Sequence, residues 1–238
     1  MNKIAFLFPG QGAQMVGMGK EIYETYEIAR EFFDHACELV DFEMKKLCFD
    51  GPLEELVLTE YTQPCLVAVE LMILQVLINQ GLKADICAGL SLGEYSALVA
   101  ADALNAYDAI KLVRKRGQIM GSALPAGMST MAVVLGMESD VLSMLCKQAS
   151  HLGVVEIANY NCPGLLVIGG ELDAVAKVSE LAISKGARRV LPLAVSGAFH
   201  TSLLKEAGTK WSYVKKLDSL NVVFNYAVSC LKLNCVSN

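Results

Sequence analysis

The sequence predicts an α/β protein in which a large, α/β-hydrolase-like domain with a parallel sheet carries an inserted ferredoxin-like small domain. In the first half, short apolar runs lead through glycine-rich turns into helical stretches, an alternation typical of a parallel sheet. From residue 128 the order becomes strand, helix, strand, strand, helix and strand, which is that of a ferredoxin-like unit. We therefore assign residues 1–125 and 197–238 to the large domain and residues 126–196 to the small domain.

The individual elements follow from short apolar runs and from apolar residues repeated at helical spacing. In the large domain we predict strands at 3–8 and 85–88, a glycine-rich turn at 10–19, and helices at 20–39, 65–78, 94–101 and 107–120. In the small domain we predict strands at 131–135, 154–158, 165–168 and 188–195, and helices at 139–150 and 173–185.

The composition is that of a well-packed globular protein and argues against several partners. Hydrophobic residues make up 54% and charged residues 19% of the 238 positions. The net charge of -5 argues against nucleic acid, because phosphate contacts need clustered Lys and Arg. The apolar start of the chain lacks a cleavage-site pattern. No segment is expected to approach the length of a membrane span, so no membrane partner is expected.

The cysteines occur singly, without CxxC pairs or a spaced His cluster, so the sequence predicts no metal site. We interpret them as reduced core thiols, which places the protein in the cytoplasm. They are Cys37, Cys48, Cys65, Cys87, Cys146, Cys162, Cys230 and Cys235.

The motif Gly89-x-Ser91-x-Gly93 lies between a predicted strand and a predicted helix. Its two glycines permit the sharp turn that lifts a serine hydroxyl out of a sheet, as in a nucleophile elbow. The N–H of Leu92 would then lie at the helix start, facing the space where an oxyanion forms. An ordinary glycine-rich turn is the alternative.

A second tight loop, Phe8 to Gln14, follows the first predicted strand. Its glycine spacing differs from that of nucleotide-binding loops, so a phosphate cradle is the weaker interpretation. We predict instead that the backbone N–H of Gln11 supplies a second oxyanion donor, a purely structural turn being the alternative.

Arg116 is predicted to lie on the apolar stripe of its helix, with Leu112, Val113 and Met120, whereas Arg114 falls on the polar face. A guanidinium on an apolar stripe requires an anion, and its planar fork suits a carboxylate. The sequence alone leaves open whether that anion is a substrate or a core Asp or Glu.

His200 follows the last predicted strand of the small domain, at a strand end where an imidazole can reach a serine hydroxyl. A surface histidine is the alternative. His35 and His151 lie on a charged helical face and in a connecting loop, so neither is placed for catalysis.

In combination, these motifs resemble the malonyl-CoA:acyl carrier protein transacylases over residues 1 to about 210. The segments that carry the resemblance are Gly10 to Gln14, Thr59 with Gln63-Pro64, Gly89 to Tyr95, Arg116-Gly117 with Met120, Asn159 to Gly164, and Gly197 to His200. Position 90 departs from the family, which most often has His there.

The resemblance implies a ping-pong reaction in which Ser91 attacks the malonyl thioester and His200 takes and returns its proton. The N–H groups of Gln11 and Leu92 would hold the oxyanion, and Arg116 would bind the free malonyl carboxylate. Gln63, Phe199 and Asn159 would complete the substrate site, with Phe199 narrowing the pocket beside the malonyl methylene.

The resemblance further implies that malonyl-CoA is the substrate and acyl carrier protein the acceptor, in fatty acid or polyketide synthesis. No other cofactor and no metal is expected, and we expect a monomer. The family continues for tens of residues beyond the last residue of this chain, so we expect a C-terminally shortened member. Two alternatives stay open: a serine thioesterase or esterase, and an inactive truncated remnant.

Overall fold

The structure is a computed structural model that describes residues 3–125, 127–193, 195 and 197–217, with side chains as far as Trp211. The described chain divides into two compact units, one up to Gln118 together with the described residues from Trp211, the other Ile119–Lys210. The boundaries predicted at 125/126 and 196/197 differ from these, and the domain assignment stays a prediction. A mixed α/β protein with a parallel sheet is confirmed.

The first unit is built around a parallel pair of strands, in which Ala5 lies opposite Ile86 and Phe8 opposite Gly89. Both strands therefore end at the same edge, and the loops that follow them are neighbours. Its elements are β1 (Ala5–Phe8), α1 (Lys20–Thr25), α2 (Glu27–Cys37), α3 (Met44–Asp50), α4 (Leu53–Leu56), α5 (Thr59–Asn79), β2 (Ile86–Gly89), α6 (Gly93–Ala100) and α7 (Ala106–Gly121) as far as Gln118.

Two helix predictions in this unit are wrong in detail. The single helix predicted at 20–39 is broken at Tyr26, whose extended backbone (φ −113°, ψ 124°) separates α1 from α2. The helix predicted from Cys65 begins instead at Thr59, with Pro64 inside it. The short helices α3 and α4 were not predicted.

Helix α5 is the central helix of the first unit, and most of its residues are buried in the apolar core. Within the described residues it is the one helix long and apolar enough to cross a membrane, with a window of mean hydropathy 1.6 of which 72% is buried. The prediction that no segment reaches this length is therefore wrong. Length and composition alone do not separate a core helix from a membrane span.

The second unit contains four strands, β3 (Ser129–Leu135), β4 (Val155–Cys162), β5 (Leu165–Glu171) and β6 (Arg189–Pro192). They form an antiparallel sheet in the order β4-β5-β3-β6. Two helices, α8 (Ser139–Ala149) and α9 (Leu172–Ser184), pack on this sheet. Their apolar residues, including Leu142 and Val178, share a buried cluster with Val134 and Ile168 of the sheet. The element order is the predicted one, although the last strand is shorter than predicted. The unit ends within α10 (Lys205–Leu217), whose residues from Trp211 belong to the first unit.

A buried polar contact joins α6 to α5, where the hydroxyl of Ser96 donates to Oε2 of Glu70. Oε1 of Glu70 is buried without a hydrogen-bond partner within the part of the chain that the structure describes. Burial raises the pKa of Glu70 from its ordinary 4.5 to about 7, and the Ser96 hydrogen bond opposes this rise. The carboxyl group thus favours its protonated form in the folded state.

We expect the stability of the chain to fall as the pH rises from 4.5 to 7, because Glu70 ionises in the unfolded chain before it ionises in the folded one. Below this window Glu70 is protonated in both states, so its ionisation does not change the free energy of unfolding. Above the window the free energy of unfolding is lower by the full amount, roughly 3 kcal/mol. Urea unfolding of Glu70→Gln should lack this slope, whereas the exposed-site control Glu180→Gln should retain it. Equal slopes in both variants would contradict the assignment.

Candidate active site

Ser91 lies on a strained turn between β2 and α6. Its backbone φ of 53° is in the left-handed region, which residues other than glycine rarely adopt. The flanking glycines are required by space: a Cβ on Gly89 would lie 2.1 Å from the Gly93 carbonyl oxygen. A Cβ on Gly93 would lie 2.2 Å from the carbonyl oxygen of Phe8. Strand, turn and helix therefore pack as the nucleophile-elbow motif predicts.

Gly93→Ala should destabilise the chain by at least about 2 kcal/mol, because the added methyl group meets backbone atoms of β1 that cannot move aside. The matched control is Gly208→Ala in α10, where an added Cβ meets nothing within 4 Å. That change should be neutral or stabilising by about 1 kcal/mol. Thermal unfolding of the two variants decides the point, and similar melting temperatures would refute the steric argument.

The two predicted oxyanion donors lie on neighbouring loops. A Cβ on Gly10 would lie 2.6 Å from the Leu90 carbonyl oxygen, so the loop after β1 packs directly against the elbow. The side chain of Gln11 is held by Thr59, its Nε2 donating to Oγ1 at 3.0 Å. Among the described residues, no acceptor is found for the backbone N–H of Gln11 or Leu92. Both N–H groups can therefore donate to a further partner, and their role as oxyanion donors stays a prediction.

The guanidinium of Arg116 faces the serine hydroxyl. Nη2 donates to Oγ of Ser91 at 3.1 Å, and Nη1 donates to Oε1 of the fully buried Gln63 at 2.9 Å. Its Cζ lies 5.7 Å from the centre of the Tyr95 ring. Burial lowers the pKa of Arg116, and nearby Tyr95 and Glu94 oppose this. The predicted inward direction of Arg116 agrees with this geometry.

Arg116 makes no ion pair with any Asp or Glu of the described chain. Of the two anions that the sequence left open, a core carboxylate at ion-pair distance is thus not found among the described residues; Glu94 acts on the pKa of Arg116 without forming an ion pair with it. A guanidinium held by one amide and one hydroxyl keeps capacity for an incoming carboxylate.

Arg114 is more buried than its predicted place on the polar face of the helix indicates. Its side chain is 11% exposed and forms ion pairs with Asp41 and Glu60. The guanidinium lies over the rings of Phe42 and Tyr61, both of which come from other elements and are invisible to a pattern read along one helix.

His200, in the second unit, lies in the loop after β6 with a left-handed φ of 61°. The loop is anchored on both sides: the Ala198 N–H donates to Oγ of Ser129 at 3.1 Å, and the Ser202 N–H donates to Oε2 of Glu156 at 2.8 Å. The exposed imidazole is therefore presented by a fixed backbone.

The other two predicted site residues of this unit have different surroundings. Phe199 is buried and packs in a cluster with Met131 and Val167. Asn159 is half-buried in β4, opposite Val167, at a register shift between β4 and β5. Their predicted contacts with substrate stay predictions. Within the described ranges, no group of three or more His, Cys, Asp or Glu is arranged to bind a metal ion.

Sequence reasoning missed two contributors to the site. Thr59 fixes the Gln11 side chain, and Tyr95 lies under the Arg116 guanidinium. Both belong to segments that carry the family resemblance, but a threonine and a tyrosine have no spacing pattern that would indicate these contacts.

Comparison with known proteins assigns the family. A family model described as an acyl transferase domain matches residues 5–217. The chain belongs to this acyl transferase family. The malonyl CoA-acyl carrier protein transacylase of Bacillus subtilis (strain 168) is 47% identical over 223 residues, covering 93% of this chain and 70% of the relative.

Solved structures agree with this assignment. The malonyl CoA-acyl carrier protein transacylase from Clostridium perfringens has a TM-score of 0.83 and 43% identity, covering 88% of this chain and 66% of that protein. A type II PKS acyl-carrier protein in complex with its malonyl-transacylase gives a TM-score of 0.87 at 36% identity, covering 90% of this chain and 70% of the matched one. The resemblance found in the motifs is confirmed, and the chain spans 66 to 70% of the length of these relatives.

Proposed function

We propose that this acyl transferase family member moves a malonyl group from malonyl-CoA to the phosphopantetheine thiol of acyl carrier protein through a Ser91 ester. The observation that carries the proposal is the Arg116 guanidinium, whose Nη2 lies 3.1 Å from Oγ of Ser91. Among the described residues, Arg116 forms no ion pair with a carboxylate. In a malonyl ester on Ser91, the free carboxylate is separated from the serine oxygen by two carbons. It therefore lies within reach of the same guanidinium.

The chemistry follows from the groups present. Arg116 donates to Oγ of Ser91, so the serine proton is directed elsewhere, and we propose His200 as the base that accepts it. The oxygen then attacks the thioester carbon, and the negative charge that develops on the carbonyl oxygen is held by the N–H groups of Gln11 and Leu92. His200 returns the proton to the departing CoA thiolate. In the second half-reaction the acceptor thiol gives its proton to His200 and its sulfur attacks the Ser91 ester carbon; the carbon–oxygen bond breaks and the serine oxygen takes the proton back.

Selectivity follows from the same arginine. A malonyl carboxylate satisfies the guanidinium with two charge-assisted hydrogen bonds, whereas an acetyl group leaves it with uncharged partners, the Gln63 amide and the Ser91 oxygen. We further propose that Gln63 orients the guanidinium, and that Phe199 and Asn159 complete the substrate site. No cofactor beyond the substrate is required by these steps, because serine and imidazole perform every bond change and proton transfer.

The proposed setting is that of a cytoplasmic monomer acting on acyl carrier protein, without nucleic acid or membrane partners. The structure of a malonyl-transacylase with its acyl-carrier protein, which covers 90% of this chain, supports the choice of acceptor. For the architecture, we propose an α/β-hydrolase-like first unit and a ferredoxin-like second unit. The sheet order β4-β5-β3-β6 with two crossing helices supports the second description.

The proposal is tested by incubating the chain with malonyl-CoA and recording its intact mass, followed by addition of phosphopantetheinylated acyl carrier protein. We expect a malonyl adduct on the Ser91 peptide that disappears as malonyl carrier protein forms. Release of free malonate without transfer would favour a thioesterase. A folded chain that gains no adduct would instead favour an inactive remnant.

A further inference from the structure

Helix α7 carries two arginines on opposite sides of its surface. Arg114 and Arg116 are two positions apart, which at 3.6 residues per turn separates their side chains by about 200°. Gly117 lies between them on the arc that packs against α5: a Cβ there would lie 2.8 Å from the Thr59 carbonyl oxygen. The two guanidinium groups therefore flank one close helix-to-helix contact.

Arg114 supplies a hydrogen bond that α5 cannot make for itself. In a regular helix the carbonyl oxygen of Glu60 accepts from the N–H four residues later, but that residue is Pro64, which has none. Nη1 of Arg114 donates to this oxygen at 2.8 Å. An acceptor left open by the proline is thus satisfied from a neighbouring helix.

Further hydrogen bonds and two aromatic rings fix the Arg114 guanidinium. Nε donates to Oδ1 of Asp41 at 2.8 Å, and Nη1 lies 3.2 Å from Oε2 of Glu60. The guanidinium carbon lies 5.0 Å and 5.1 Å from the ring centres of Phe42 and Tyr61. A flat, forked cation fits such a site, and a lysine ammonium does not reproduce it.

The turn of α5 that Arg114 holds also carries the partners of the active-site groups. Thr59 accepts from the side chain of Gln11, and Gln63 accepts from Arg116 at 2.9 Å. A shift of α7 along or around this turn would move Arg116 relative to the Ser91 hydroxyl, since Arg116 and Arg114 belong to the same rigid helix.

We propose that Arg114 is a positioning residue that fixes α7 on the first turn of α5 and thereby aims Arg116 at Ser91. The expected effect of Arg114 on the choice between malonyl and acetyl donors rests on the proposed function. The expected effect of Arg114 on the position of Arg116 is independent of that function, so the two effects are measured separately.

Placement is measured with phenylglyoxal, which reacts with accessible guanidinium groups, by following modification of the Arg116 peptide by mass spectrometry. In Arg114→Ala we expect the Arg116 rate to rise about fivefold or more, because local opening of α7 exposes it. The matched control, Lys115→Ala, removes an exposed cation from the same helix and should leave the rate unchanged. Equal rates in both variants would overturn the proposal.

Selectivity is measured as the ratio of kcat/KM for malonyl-CoA and acetyl-CoA. Misplacement of the arginine should lower this ratio by about ten- to a hundredfold in Arg114→Ala, with a smaller loss in Arg114→Lys. A residue with only a structural role would lower both values equally and leave the ratio intact, which would count against the proposal.

Two outcomes separate the proposals from each other. If the unmodified chain forms no malonyl adduct, the proposed function fails, and the phenylglyoxal rates still decide the positioning role. If Arg114→Ala does not fold by circular dichroism, Arg114→Lys and Asp41→Asn replace it. If Arg116 in both of these folded variants is modified by phenylglyoxal at the rate found in Lys115→Ala, the role of Arg114 is refuted.

Discussion

Ser91→Ala should gain no malonyl adduct and should lose transfer to acyl carrier protein by at least about a thousandfold. The hydroxyl is the one atom group in the elbow able to form the covalent intermediate, and no base or oxyanion donor compensates for its loss. Because the left-handed turn is fixed by Gly89 and Gly93 rather than by the serine side chain, the variant should remain folded.

The control for this experiment is Ser184→Ala, which changes an exposed serine at the end of α9 whose hydroxyl bonds only its own helix. It should acylate like the unchanged chain. The adduct site is confirmed by sequencing the peptide that contains Ser91. A malonyl group found on Ser91→Ala protein would show that another nucleophile carries the acyl group.

Arg116→Ala should abolish the preference for malonyl over acetyl donors, mainly through loss of kcat/KM for malonyl-CoA. The removed interaction is a charge-assisted, forked contact with the substrate carboxylate, so the loss is about 2 to 5 kcal/mol, or roughly thirty- to several-thousandfold. Acetyl-CoA has no carboxylate to lose, and its rate should change much less.

Steady-state rates with both donors test this, with the exposed-site variant Arg30→Ala as control. The control should keep the malonyl preference of the unchanged chain. Equal losses for malonyl-CoA and acetyl-CoA in Arg116→Ala would contradict a carboxylate-binding role and would point to a role in holding Gln63 and the elbow instead.

The parts of the site that the sequence predicts well are those fixed by local chemistry. The glycines at 89 and 93 predict close backbone packing around a sharp turn, and the structure shows that packing. The inward direction of Arg116 follows from helical periodicity alone, since its neighbours Leu112 and Val113 are buried.

The parts that the sequence predicts poorly depend on residues distant along the chain. Arg114 has a polar neighbourhood on its own helix, but its Phe42 and Asp41 partners lie some seventy positions earlier. Helix α5 begins six residues before its predicted start at residue 65, and it tolerates Pro64 because Arg114 satisfies the carbonyl that the proline leaves open. Periodicity along one segment does not report such contacts.

The pairing of β1 with β2 has a consequence for the order in which the chain folds. Ile4 and Asp85, which join the two strands at their start, are 81 positions apart. Chain entropy is lost when such distant segments come together, before their pairing can stabilise the chain. Local helices such as α2 and α5 are therefore expected to form first. The elbow and the loop of Gln11 meet only when this pairing is complete, so the two proposed oxyanion donors come together late in folding.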